Sequence, residues 1–419
     1  MTGDLSRTAA EELDGHDELA RFRARFVVAD PDLIYLDGNS LGRLPAATPA
    51  FLDHVVREGW GRGLIRSWGD WIDWAARLGD RLADHVLGAR PGEVVLSDST
   101  SVNLYKLAAA ALAASDRGVV VVDTDDFPTD RYVVQGLVEH HGGTVRELRS
   151  DIDRGLSPDR LRAALDEDVA LVVLSAVSYR SGAMPDMAEV NRMAHEVGAL
   201  VLWDLCHAAG AVPVELAATG ADLAVGCTYK YLNGGPGSPA FLYVRKGLQP
   251  LLRQPIQGWF GQRDQFAMGP DYDPVEHLDR FLVGTPPLLS LAAVDPALAV
   301  VEEAGVERIR AKSVRMGRFV VDLARERLAE RGFRLASPVD PDRRGAHVSL
   351  AHPDAWRICR ALAEDAGVVC DYRAPDRLRI GPSPLYTTFT ELWDAVDRLC
   401  GVLDSRSYER HARALARIT

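Results

Sequence analysis

Two apolar runs in this chain each lead into a group able to do chemistry. The run ALVLWD ends in Asp204, and DLAVGC is followed by Lys230 within TYKYLNGGPGSP. A third element, SDSTSVNLYK, puts Ser99, Thr100 and Ser101 where a strand-like segment gives way to a helix-like one. Helix starts carry free N–H groups and the positive end of the dipole, so they hold phosphate. Each feature has an ordinary explanation on its own. Asp204 is placed to cap a helix, Lys230 to sit in solvent, and one hydroxyl suffices as an N-cap. Three hydroxyls in a row exceed that need.

An acid, an amine and a phosphate cup at one sheet edge match what pyridoxal 5'-phosphate requires. A lysine binds its aldehyde as a Schiff base. An acid beside the pyridine nitrogen keeps it protonated, so the ring accepts electrons. A unit pair ~4 Å apart is worth about 4 kcal/mol at an effective dielectric near 20. One pKa unit is about 1.36 kcal/mol, so such a pair shifts the nitrogen by units. Phe127, in DTDDFPTDRY, is placed to stack on the ring, or equally to be a plain loop aromatic. Asp130, Ser175 and His207 lie beyond strand ends, within reach of the same ring. The NGGPGSP stretch after Lys230 supplies the open dihedrals that a tightly passing backbone needs.

These groups need a scaffold. From about residue 90 to 245, short apolar runs (EVVLSD, GVVVVD, VALVVLSAV, ALVLWD, ADLAVGC, PAFLYV) alternate with helical patterns. That texture predicts an α/β fold with a mostly parallel sheet covered by helices, with ligands beyond the carboxyl ends of its strands. Past residue 290 a long amphipathic helix with a break, then short strands HVSLA, GVVCDYR and RLRIGPS, predict a smaller α+β domain. The expected division is 1–50 packing with the small domain, 51–290 as the cofactor-binding domain, and 291–419 as the small domain.

The 419 residues suit more than one core, and the net charge of -12 argues against nucleic acid. Five scattered cysteines without C-x-x-C spacing point to a reduced, cytoplasmic protein. No signal peptide, membrane span or metal site is expected.

The segments YLDGNSLG, DSTSVNLYK, DFPTDRYV, WDLCHAAG, TYKYLNGGPGSPAF, GWFGQ and LRIGPSPLY, in order over residues 33–390, together resemble the kynureninase family. These are pyridoxal-phosphate enzymes of fold type I, the aspartate aminotransferase fold. The resemblance implies L-kynurenine as substrate, cleaved by water between Cβ and the aryl carbonyl to give anthranilate and L-alanine. It also implies a homodimer with shared active sites. Carried over by motif, Lys230 is the Schiff-base lysine and Cα base, and Asp204 pairs with the pyridinium. Thr100, Ser101, Tyr229, Trp259 and Thr285 hold the phosphate, the last two across the dimer. Phe127, Asp130, Ser175 and His207 surround the ring. Arg379 grips the substrate's α-carboxylate, for which a planar guanidinium is suited, and Ser40 lies near the substrate. Tyr229 is also the candidate proton donor and acceptor.

Relatives acting on 3-hydroxykynurenine place Asn where this chain has Thr285. Trp68, Trp71 and Trp74 either shape the aryl pocket or belong to the core. Both features lean toward unhydroxylated kynurenine. Two rival readings stand beside this one. A cysteine desulfurase or selenocysteine lyase needs a mobile nucleophilic cysteine before the arginine, whereas Cys370 ends the apolar run AGVVC. A non-catalytic regulator has no physical reason to keep the amine, acid, phosphate cup and arginine together.

Overall fold

The computed structural model describes residues 4–412. Its largest element is a seven-stranded sheet. In chain order the strands are β1 (Val94–Leu96), β2 (Val119–Asp123), β3 (Thr144–Leu148), β4 (Val169–Ser175), β5 (Leu200–Asp204), β6 (Leu223–Gly226) and β7 (Phe241–Val244). Across the sheet they lie in the order β1-β7-β6-β5-β4-β2-β3. Every pairing is parallel except the two made by β7. The mostly parallel sheet expected from the apolar runs is therefore present, with helices on its faces. The Val-, Leu- and Ala-rich central strands are buried on both sides, as a helix-covered sheet requires. The edge strand β3, TVREL, was not among the predicted runs. It is half exposed, and the charges of Arg146 and Glu147 broke the apolar pattern.

The break in the long helix falls at Gly305, at φ +78°, between Leu288–Ala304 and Val306–Arg327. A four-stranded antiparallel sheet follows, built from β8 (Arg334–Leu335), β9 (Val348–Ala351), β10 (Asp371–Arg373) and β11 (Arg377–Ile380). GVVCDYR does not form one strand. It breaks at Cys370: Val368–Val369 pairs with Ile34–Tyr35, and the rest becomes β10.

Two apolar clusters form. One holds the large sheet, its helices and the helix Leu288–Ala304. The other gathers Ala10, Ile34 and Leu36 with side chains from Met316 to Leu403. The amino-terminal segment straps the two together. Leu36 exchanges backbone hydrogen bonds with Val369 and Gly381, Gly38 N–H donates to Gly381 at 3.0 Å, and Gly42 N–H donates to the Tyr229 carbonyl at 2.8 Å. A Cβ at Gly42 would strike the Lys230 carbonyl and Asn233, so this crossing needs glycine. No described helix is long and apolar enough to cross a membrane.

Candidate active site

The predicted chemistry collects at the carboxyl edge of the large sheet. Ser175 ends β4, Asp204 ends β5, and Lys230 lies in the loop after β6. Asp204 is buried, and its Oδ1 accepts the Cys206 N–H at 2.7 Å. Asp130 sits in the first turn of the helix Pro128–His141, against Asp204. Burial, then the charges of Asp204 and Asp126, push its carboxyl well above the usual range, with Lys230 opposing. Asp130 Oδ2 is buried without a partner. Asp126 joins them: its Oδ1 accepts the Ser175 N–H at 2.9 Å, and burial beside Asp123 raises its carboxyl to about 7.

Lys230 Nζ lies 3.3 Å from His207 Nε2, and Arg379 Nη1 lies 3.5 Å from the same nitrogen. Lysine and arginine only donate, so Nε2 is the acceptor and the proton sits on Nδ1. Burial, then Lys230 and Arg379, hold this imidazole well below its ordinary pKa and keep it neutral. Tyr229 places its ring 5.8 Å from Lys230 Nζ. Burial, then the Cys227 thiol, pushes its phenol up, so Tyr229 keeps its proton. Arg379 comes from β11, buried, with Ser40 Oγ at 3.0 Å from its Nη2.

At the phosphate cup the hydroxyls divide their work. Ser99 caps the helix Thr100–Ala113, accepting from the Val102 N–H at 3.4 Å. That leaves Thr100, whose Oγ1 lies 3.7 Å from Cys206 Sγ, and Ser101. Ser101 lines a surface hollow of about 470 Å³ with Tyr105, Tyr132 and Ile256. Phe127 is half exposed at the rim, edge-on to Tyr179 at 5.5 Å. Trp259 and Thr285 do not join the cluster within one chain. Both are exposed, and among the described residues Trp259 stacks only on Phe260 and Phe266. Trp74 is buried and donates to Asp295, while Trp68 and Trp71 pack against the large cluster.

These groups fit pyridoxal phosphate by their donor chemistry. A protonated pyridine nitrogen would add a donor and a positive charge where the Asp130 and Asp204 carboxyls crowd and Asp130 Oδ2 has no partner. The helix start at Thr100 offers N–H groups to a phosphate.

The kynureninase of Pseudomonas fluorescens is 46% identical over 405 residues, covering 94% of this chain and 95% of its own. The chain belongs to the kynureninase family. A family model described as the kynureninase C-terminal domain matches residues 309–399. The fold is shared more widely. The apo cysteine desulfurase of Thermococcus onnurineus NA1 superposes with a TM-score of 0.75 at 19% identity, covering 94% of this chain and 97% of its own. A lysine-to-alanine mutant of C-DES with glycine covalently linked to its PLP cofactor gives 0.78 at 17% identity, covering 88% and 97%. Those two likenesses establish the fold, fold type I, and nothing of the reaction. Within that fold this kynureninase-family chain lacks the desulfurase nucleophile at Cys370. Its thiol is buried in the small cluster against Cys359, and that contact, with burial, raises it far above a reactive range.

Several site residues were not legible in the sequence. Asp126 is one of four aspartates in DTDDFPTD, with nothing to single it out. His347 is fully buried, 5.7 Å from the His207 ring, with both ring nitrogens unpartnered. Asp371 was hidden because its partner Arg379 is set by strand register.

Proposed function

We propose that the protein is a kynureninase, hydrolysing L-kynurenine with pyridoxal 5'-phosphate to anthranilate and L-alanine. The observation that carries this reading is the sharing of His207 Nε2 by Lys230 and Arg379 at 3.3 and 3.5 Å. An amine that meets the substrate's α-nitrogen and Cα, and a guanidinium that meets its carboxylate, stand one amino-acid head group apart. Family membership supplies the identity of the side chain beyond Cα.

When bound, pyridoxal phosphate supplies an electron sink conjugated to the substrate's Cα. The chain's residues do the rest. Arg379 binds the α-carboxylate and fixes the direction of Cα. Lys230 Nζ takes the Cα proton, and neutral His207 keeps that nitrogen oriented without competing as an acid. Water adds to the aryl carbonyl carbon, and the Cβ–Cγ bond breaks with Cβ gaining a proton. Tyr229, protonated throughout the working pH range, is our candidate to give and recover a proton at the carbonyl oxygen.

We further propose a homodimer in which Trp259 and Thr285 reach the phosphate of the other subunit. Their exposure supports this, as does the open apolar hollow that Ser101 lines with Tyr105, Tyr132 and Ile256. Thr285 favours the unhydroxylated ring. The test is anthranilate fluorescence from cofactor-loaded protein given L-kynurenine, with 3-hydroxykynurenine in parallel. Release from L-kynurenine is expected to be faster. No product from either substrate would overturn the reading.

A further inference from the structure

Arg379 has a resident carboxylate. Asp371 stands opposite it in the ladder between β10 and β11. Asp371 Oδ1 accepts from Arg379 Nε at 2.8 Å, and Oδ2 accepts from Nη2. Both side chains are 1% exposed. Ser40 Oγ accepts from Arg379 Nη2 and donates to Asp371 Oδ2, each at 3.0 Å. Arg373 reaches the same Oδ2 at 2.8 Å. Arg379 Nη1 donates to the Tyr179 carbonyl at 2.6 Å and faces His207.

A guanidinium offers a carboxylate two edges, side-on through Nε and Nη2 or end-on through Nη1 and Nη2. Asp371 fills the side-on edge with a full negative charge. The end-on edge meets neutral acceptors, the Ser40 hydroxyl, the Tyr179 carbonyl, the His207 ring and the Asn39 amide oxygen at 2.9 Å from Nη2 and 3.3 Å from Nη1, which an incoming carboxylate can replace. Only that edge looks toward His207 and so toward Lys230.

We propose that Asp371 is a positioning residue that blocks the side-on edge of Arg379 and confines the substrate's α-carboxylate to the end-on edge, in line with Lys230. This rests on the reading that Arg379 binds that carboxylate. The arrangement exchanges affinity for alignment, because Asp371 also repels the carboxylate it directs.

The test uses Asp371→Ala and Asp371→Asn in the cofactor-loaded protein. With the side-on edge free, substrate binds more tightly but out of line. The expected result is a kcat lower by about tenfold to a hundredfold, the scale of a misplacement near 1 Å, with KM falling alongside it. L-Alanine, titrated through the cofactor absorbance, binds several-fold tighter. Added formate refills the edge and restores kcat in Asp371→Ala. An unchanged kcat, a raised KM or no response to formate would overturn the proposal. So would failure of both variants to fold, since Asp371 would then be a structural counter-ion. The α-carboxamide of L-kynurenine separates the two levels: if wild-type protein processes it as well as L-kynurenine, the Arg379 reading itself fails.

Discussion

The site has two halves, and they handle buried charge in opposite ways. At the sheet edge, Asp126, Asp130 and Asp204 crowd together, and Asp130 Oδ2 lacks a partner. On β11, Arg379 has an acceptor at every nitrogen. Buried polar groups left unpaired are costly, while a satisfied network is rigid. The sheet edge is therefore unfinished without its cofactor, and the arginine half is complete before substrate arrives. One half gains a partner on binding; the other must exchange one.

The largest effect breaks the first half outright. Lys230→Ala is expected to lower anthranilate release by on the order of 10⁴- to 10⁶-fold, the scale seen when a covalent catalyst is removed. Asp204→Asn sharpens the contrast. Losing a pair worth about 4 kcal/mol lowers turnover by about 10³-fold. Yet it relieves repulsion with Asp130, so the cofactor-free protein melts no lower than wild type in a thermal scan. Arg379→Ala behaves in the opposite sense. It strands Asp371, and breaking a buried pair costs about 3–5 kcal/mol, read as a drop in the urea midpoint even without cofactor.

A smaller effect follows from Asp37, beside the arginine half. Burial, then the charge of Asp371, raises its carboxyl to about 7. An unfolded aspartate ionises near 3.9. Between roughly pH 4 and 7 the folded state thus binds more protons than the unfolded one, so stability falls as pH rises through that window and levels off above it. Asp37→Asn is expected to flatten part of that slope in urea titrations, and Asp126, also raised to about 7, supplies another part. The smallest effect is Ser99→Ala, which removes one helix cap for about 1 kcal/mol and lowers the melting temperature slightly, with cofactor affinity little changed.

The same contrast explains what the sequence could carry. The sheet-edge residues follow apolar runs, so the sequence alone places Asp204 and Ser175 at strand ends and Lys230 in the loop after one. The arginine half depends on which residue faces which across short antiparallel strands. No local pattern states that Asp371 faces Arg379, or that GVVCDYR divides between two sheets. Trp259 and Thr285 lie outside both halves in one chain, and motif resemblance alone assigned them a place.

The strap from Ile34 to Gly42 has a consequence for how this protein comes into being. Its hydrogen-bonding partners are Val369 and Gly381 near one end of the chain and Tyr229 in its middle. The segment leaves the ribosome well before the surfaces that receive it. Contacts so distant along the chain form slowly. The lysine loop beneath Gly42 is therefore sealed late, and a nascent chain has a time window in which the cofactor pocket is still open from the amino-terminal side.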